Sequence, residues 1–223
     1  MKKKPMICVP IIERKSKSVI QAADKAINLG ADILEFRIDT LQNHNLHEIK
    51  TLIKEIDYSM ILTNRLQDEG GFFKGSEKER IDILVKTAEY ADIVDIELQT
   101  DIKLIKQVIK ASKSTIVSFH DFKKTPTFQE LINIVKREHE LGDIAKFSVM
   151  PKNHKDTLIV LKVLSEMDNT IGISMGEIGK YTRLIAPIFG SPITYASSDK
   201  KSAPGQLDIE TTKFILKKLT VID

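Results

Sequence analysis

Lys146 stands in the run Ile144-Ala145-Lys146-Phe147-Ser148-Val149-Met150-Pro151, a lone cation among apolar and small side chains. An ammonium in such surroundings is costly unless it is paired or gives up its proton. Its neutral amine is a nucleophile toward ketones and aldehydes. Proton transfer beside it could come from His120 in Ser118-Phe119-His120-Asp121-Phe122, at the end of a second apolar stretch. An unperturbed imidazole titrates near neutrality and carries a proton either way. Glu69 is a third candidate, an acid in the segment 67–75 just before the pair Gly70-Gly71. The other histidines, His44, His47, His139 and His154, lie among charged neighbours and are expected to face solvent. No group of His, Cys, Asp and Glu has metal-ligand spacing, so neither a metal nor another cofactor is expected.

These side chains meet only if the fold gathers them. Apolar runs of strand length alternate with amphipathic stretches eight times. Strands are expected over 6–11, 32–38, 59–65, 92–98, 114–120, 144–150, 170–175 and 192–197. Helices are expected near 17–29, 46–56, 77–90, 101–111, 127–141, 154–167, 177–188 and 208–219. Ser76-Glu77-Lys78-Glu79 and Asn45-Leu46-His47-Glu48 read as capping boxes, and Thr125-Pro126 as a cap followed by a first-turn proline. Such alternation implies parallel strands with crossover helices, and eight units imply a single (β/α)8 barrel domain over 1–223. A doubly wound sheet is weaker, because the turn from Pro10 to Lys15 has no glycine fingerprint.

Residues two apart on a strand share a face. Leu34, Phe36 and Ile38 suit the helical shell, which turns Glu35 and Arg37 inward. By the same rule Thr63 with Arg65, Asp95 with Glu97, Ser118 with His120, and Lys146 with Ser148 share the interior. Barrel interiors are ordinarily filled by Val, Ile and Leu, and barrel active sites lie at the C-terminal strand ends. Ion pairs Glu35–Arg37 and Glu97–Arg65 that merely plug the barrel are the structural alternative. Convergence from five strands favours a site. The segments 67–75, expected to flex at its glycines, and 199–206, a candidate lid, would flank it.

The composition is that of a globular protein, with 42% hydrophobic and 29% charged residues among 223. The 34 cationic and 31 anionic residues are spread along the chain, which argues against nucleic acid as a partner. No stretch nears the ~20 apolar residues of a membrane span. The opening Met-Lys-Lys-Lys precedes a short apolar run with two prolines, a first strand rather than a signal peptide. A single cysteine, Cys8, fits a reducing cytoplasm.

Glu35-Phe36-Arg37, Thr63-Asn64-Arg65 with Glu69-Gly70-Gly71, Asp95-Ile96-Glu97, Ser118 to Phe122, Lys146 with Met150-Pro151, Ser174-Met175-Gly176 with Gly179 and Arg183, Phe189-Gly190-Ser191, and Ser202-Ala203-Pro204-Gly205-Gln206 occur in order. Together they resemble the type I 3-dehydroquinate dehydratases, in the stand-alone form. The resemblance implies dehydration of 3-dehydroquinate to 3-dehydroshikimate through an imine, the third step of the shikimate pathway. Lys146 would attack the C3 ketone. His120 would take the C2 proton and return one to the departing C1 hydroxyl, with Glu69 orienting it. Arg183 would hold the substrate carboxylate, and Ser202 and Gln206 would close over it. Glu35, Arg37 and Arg65 would hold ring hydroxyls, the site staying positively biased in favour of the neutral amine of Lys146. Asp95 and Glu97 are expected to be supporting or structural. The resemblance also implies a homodimer. A class I aldolase would share the lysine and barrel but needs a phosphate site, which only Gly176 and Gly190-Ser191 could supply. A barrel retained as a binding module would not form an imine.

Overall fold

The computed structural model of the chain describes residues 4–199 and 203–219. Eight parallel strands and nine α-helices follow one another among these residues: β1 Met6–Ile11, α1 Ser16–Leu29, β2 Ile33–Arg37, α2 Leu46–Ile56, β3 Met60–Thr63, α3 Glu77–Thr87, β4 Ile93–Glu97, α4 Ile102–Ala111, β5 Thr115–Asp121, α5 Phe128–His139, β6 Ile144–Val149, α6 His154–Glu166, β7 Thr170–Ser174, α7 Gly176–Gly179, α8 Thr182–Ile185, β8 Ile193–Tyr195 and α9 Ile209–Leu219. The strand order β7-β6-β5-β4-β3-β2-β1-β8 makes a nearly closed (β/α)8 barrel.

Between β7 and β8 no ladder forms among the described residues; α8 spans the seam instead. The Ser174 amide donates to Thr182 Oγ1 at 3.2 Å, and Thr194 Oγ1 donates to the Arg183 carbonyl at 2.6 Å. This fastens Arg183 to both strand ends. The single helix expected over 177–188 is therefore broken into α7, α8 and a 3-10 turn at Ala186–Phe189. Gly179 lies so close to β7 that a Cβ there would come within 2.3 Å of the Ser174 carbonyl oxygen.

Two-residue periodicity stacks the interior in layers. The lowest contains Ile33, Ile61, Ile93, Ile116, Ile171 and Ile193, with Met6 and Ile144 beside them. The next step along each strand reaches Cys8, Glu35, Thr63, Asp95, Ser118, Lys146, Ile173 and Tyr195. The apolar floor keeps water away from the polar layer above it. On the outer face Leu34, Phe36 and Ile38 pack with Val19, Ala23 and Ile49 of the helices.

Ser76 and Glu79 form the reciprocal capping box expected for α3. At α2, Asn45 caps alone, because Glu48 instead accepts from Ser16 and Asn43. The α5 cap is Thr127 rather than Thr125, since Thr127 and Glu130 complete a box that leaves Pro126 outside the helix. His47 and His154 are exposed as expected. His139 instead bonds Thr170 Oγ1 at 3.1 Å, and His44 packs edge-on against Phe73.

Glu138 of α5 is fully buried, and neither carboxyl oxygen has a hydrogen-bond partner among the described residues. Burial, with Glu69 and Asp95 adding negative charge, raises this carboxyl well above the ordinary 4.5. A group that binds its proton more tightly when folded contributes stability below its unfolded pKa that is lost as pH climbs toward its folded one. Glu138→Gln, which mimics the neutral acid, is expected to melt with wild type at pH 4, below the ordinary 4.5, and above it at pH 8. Parallel curves of melting temperature against pH for the two proteins would reject this.

Candidate active site

The polar layer is tied together through Asp95. Lys146 Nζ donates to Asp95 Oδ2 at 2.7 Å, Arg65 Nη2 lies 2.8 Å from the same oxygen, and Ser118 Oγ donates to Oδ1 at 2.6 Å. Burial alone would raise this carboxyl, but Arg65 and Lys146 beside it hold it well below the usual carboxylate range. Glu35 Oε1 is 3.7 Å from Lys146 Nζ and 4.0 Å from Arg65, and accepts from Thr63 Oγ1 at 2.9 Å. The charges nearest Lys146 are thus carboxylates, and the expected positive bias around it is not what the geometry shows. Buried Lys146 is accommodated by pairing.

Arg37 does not pair with Glu35, as the structural alternative of a plugged barrel would have required. Its Nε and Nη2 donate bidentately to Asp39 at 2.8 and 2.7 Å. A 3-10 turn at Ile38–Thr40 follows β2 and brings the Asp39 carboxylate back toward the barrel. Asp39 also accepts from the amides of Arg65 and Phe72, so β3 ends at Thr63 rather than Arg65. The Glu97–Arg65 pair is present at 2.9 Å. Arg80 of α3, outside any sequence motif, completes it by binding Glu97 Oε2 at 2.7 Å and the Asn64 carbonyl. Glu97 is thereby locked between two arginines, which is a structural role.

The double glycine after β3 is a tight turn rather than a flexible loop. The Gly71 amide donates to the Leu66 carbonyl at 2.9 Å, and a Cβ on Gly71 would lie only 1.9 Å from the Arg65 carbonyl oxygen. This turn drives Glu69 down into the barrel mouth. Its Oε2 lies 2.7 Å from His120 Nδ1. Burial pushes the Glu69 carboxyl up to about 8 against the pull of Arg65. Burial, then the cations Arg65 and Lys146, pushes the His120 imidazole well below 6.5. Nδ1 is occupied by Glu69, so Nε2 is the nitrogen left to act.

Arg183 is buried, and its Nε has no partner among the described residues, while Nη2 donates to the Pro204 carbonyl at 3.3 Å. Burial lowers its pKa to about 10. An unmatched buried guanidinium is a ready partner for a planar anion such as a carboxylate. Gln206 is buried beside it, and Gly205 sits with φ 77° where a Cβ would be 2.3 Å from the Gly176 carbonyl oxygen. That close approach docks Pro204 and Gly205 on the end of β7. Ser202 lies outside the described residues, as do Lys200 and Lys201 of the expected lid.

Glu35, Arg37, Arg65, Glu69, His120, Lys146, Arg183 and Gln206 line one cavity of about 60 Å³. A larger hollow of about 970 Å³, lined by Arg14, His44, Phe72 and Lys74 among others, shares Arg37 with it but contains neither Lys146 nor His120. Lys146, His120 and Arg183 thus meet in the smaller cavity. Arg65 lines it with both Nη atoms already engaged, so it acts as a brace for Asp95 and Glu97. Two groups at the centre escaped notice in the sequence: Asp95 as a direct partner of Lys146, and Tyr195 of β8. The alternation rule applied to β8 would have turned Tyr195 inward with Ile193, and a phenol at an inward position was the available signal.

Residues 7–223 match the family described as Type I 3-dehydroquinase. The chain is 53% identical over 210 residues, 94% of each chain, to the 3-dehydroquinate dehydratase of Methanobrevibacter smithii. It is 49% identical over 213 residues, 96% of each chain, to that of Methanothermobacter thermautotrophicus. It is also similar to a crystal structure of the type I 3-dehydroquinate dehydratase of Clostridium difficile with covalent modified comenic acid. The TM-score is 0.91 at 32% identity, covering 99% of this chain and 94% of that one.

Proposed function

This chain belongs to the type I 3-dehydroquinase family and is a lyase that dehydrates 3-dehydroquinate in the shikimate pathway; we propose that the imine on which the chemistry runs forms at Lys146. The convergence of Lys146, His120 and the unmatched Arg183 on one cavity carries this reading. The likeness to a relative holding covalent modified comenic acid also supports covalent chemistry in this barrel.

Arg183 receives the substrate carboxylate and so sets which end of the ring enters first. Lys146, as the neutral amine, adds to C3; the carbonyl pair moves to oxygen, which takes protons and departs as water, leaving an iminium. The iminium accepts electron density, so the C2–H bond weakens. His120 Nε2 takes that proton, and the C2–H pair moves into C2=C3 as the C=N pair passes to nitrogen, giving an enamine. The nitrogen pair then re-forms the iminium, the C2=C3 pair becomes the C1=C2 double bond, the C1–O bond breaks, and His120 returns its proton to the departing hydroxyl. A single base serving as the acid accounts for loss of both groups from one face. Water then hydrolyses the imine and frees Lys146. Glu69 holds Nδ1, and Glu35, Arg37 and Gln206 contact the ring oxygens, with Ser202 of the 199–206 loop assigned to the same task. An aldolase reading explains Lys146 but leaves Arg183 without a purpose.

Incubation with 3-dehydroquinate and borohydride tests this. A ligand-sized adduct on Lys146, located by peptide mass spectrometry, is the expected result. Turnover with Lys146 unmodified would end the proposal.

The same reading makes residues 1–223 one catalytic domain, cytoplasmic and homodimeric. Cys8 is a buried free thiol, as suits a reducing compartment. Among the described residues no helix is long and apolar enough to cross a membrane. The contacting α6 and 3-10 turn at Ala186–Phe189 expose Leu158, Ile188 and Phe189, apolar surface that a second copy would cover. Light scattering is expected to give twice 25.2 kDa, and a single-chain mass would refute the dimer.

A further inference from the structure

Lys146 Nζ has a second partner that the mechanism above does not use. It donates to Tyr195 OH at 2.9 Å, as it does to Asp95 Oδ2 at 2.7 Å. The Tyr195 ring centroid is 4.5 Å from the same nitrogen. Tyr195 is buried on β8, next to β1 and on the far side of Lys146 from its β5 neighbour Ser118. We propose that Tyr195 is a catalytic residue of the imine-forming step, its hydroxyl acting with Asp95 to aim the lone pair of Lys146 at the substrate carbonyl. The proposal rests on the assignment of the imine to Lys146.

The argument is one of valence. A neutral amine on a lysine has two N–H bonds, one bond to Cε and one lone pair, at tetrahedral angles. If one N–H is held by Asp95 and the other by Tyr195, rotation about Cδ–Cε and Cε–Nζ is arrested and the fourth direction is determined. Lys146 and Tyr195 both line the cavity shared with His120 and Arg183, the space in which a carbonyl could meet that fourth direction. With Asp95 alone, the amine could turn about a single hydrogen bond and its lone pair would sweep past the carbonyl carbon. Attack requires reacting atoms about 3–3.5 Å apart with aligned orbitals, so this restraint acts on rate rather than on substrate affinity.

The hydrogen bonds also sort themselves as the reaction proceeds. The ammonium, with three N–H bonds, loses one proton before attack, and the nitrogen gives up a second as the carbinolamine loses water. The iminium keeps a single N–H. It can serve one of the two partners, and the anionic Asp95 is the better acceptor for a cation. Tyr195 therefore holds the nitrogen only in the states before the iminium, and its effect is confined to imine formation. Once the iminium has formed, removal of the C2 proton proceeds without it.

Tyr195→Phe keeps the ring and its volume and removes only the hydroxyl. Rapid-quench borohydride trapping should show imine formation slowed roughly 10- to 100-fold, with KM changed little and circular dichroism unchanged. As imine formation becomes limiting, the isotope effect measured with C2-deuterated substrate should shrink toward 1, a signature that a packing defect would not produce. Tyr195→Leu, which removes the ring as well, should trap no more slowly than the Phe variant. A Phe variant that traps at the wild-type rate with an undiminished isotope effect would overturn the role of the hydroxyl. A Leu variant far slower than Phe would assign the effect to the ring instead. Failure of wild-type protein to trap at Lys146 would be a separate result, overturning the imine assignment beneath the proposal.

Discussion

Lys146→Met is expected to reduce kcat/KM by at least about 10⁴-fold, equivalent to about 5.5 kcal/mol of transition-state stabilisation, and to abolish borohydride-dependent labelling. Loss of this size follows because the iminium is the electron sink that makes the C2 proton removable, and among the described residues no second lysine lines the cavity. Arg65 and Arg183 share the cavity, but guanidinium groups stay protonated and do not add to ketones. The substitution leaves a folded protein because Asp95 keeps Arg65 at 2.8 Å and Ser118 at 2.6 Å, so its charge remains compensated. Methionine approximates the volume of the lysine stem. The measurements are steady-state turnover and intact mass after reduction. Retention of more than about a hundredth of wild-type kcat/KM would show that catalysis does not run through this nitrogen.

The second large effect belongs to His120. His120→Ala is expected to cost about 10²- to 10⁴-fold in kcat, the usual contribution of a positioned acid–base group. Its signature is the mass of the trapped adduct. Wild type should yield adducts of both substrate and product, which differ by one water, whereas the variant should hold mainly the substrate adduct because elimination is stalled. An unchanged adduct ratio with turnover within tenfold of wild type would remove His120 from the elimination.

The Glu69–His120 pair adds a pH dependence whose sign can be worked out. With the imidazole pushed below 6.5 and the Glu69 carboxyl up to about 8, the pair at pH 7 holds a neutral ring and a protonated acid. That acid can donate to Nδ1, which leaves the ring proton on Nε2 and makes Nε2 a poor base. Ionisation of Glu69 reverses the bond: Nδ1–H donates to the carboxylate and Nε2 is bare. The rate of C2 proton removal should therefore rise as pH passes about 8. In Glu69→Gln, whose amide does not titrate, that limb should vanish. Identical profiles for the two proteins would mean that Glu69 holds the ring without controlling its tautomer.

Much of this site could be read before folding. The eightfold alternation, the inward faces of Glu35, Asp95, Ser118 and Lys146, and the nearness of His120 to a strand end all follow from a period of two, a property of the extended backbone itself. Lys146 drew attention because an unpaired cation in an apolar run is costly wherever the run folds. The partners of these residues were another matter. Arg37 chose Asp39 over Glu35, and Asp95 proved to be the direct partner of Lys146. Arg80 came from a helix surface pattern to lock Glu97. Pairing depends on inter-strand register and on where a turn returns the chain, and those distances exist only once the sheet has curled. The Gly70-Gly71 segment shows the same division: composition marks a turn, but the approach of Gly71 to the Arg65 carbonyl decides that it is rigid and delivers Glu69 to His120. Residue types and backbone periodicity determined which groups point inward. Closure of the barrel, which brings β8 beside β1 and across from β6, decided that Lys146 is shared between Asp95 and Tyr195.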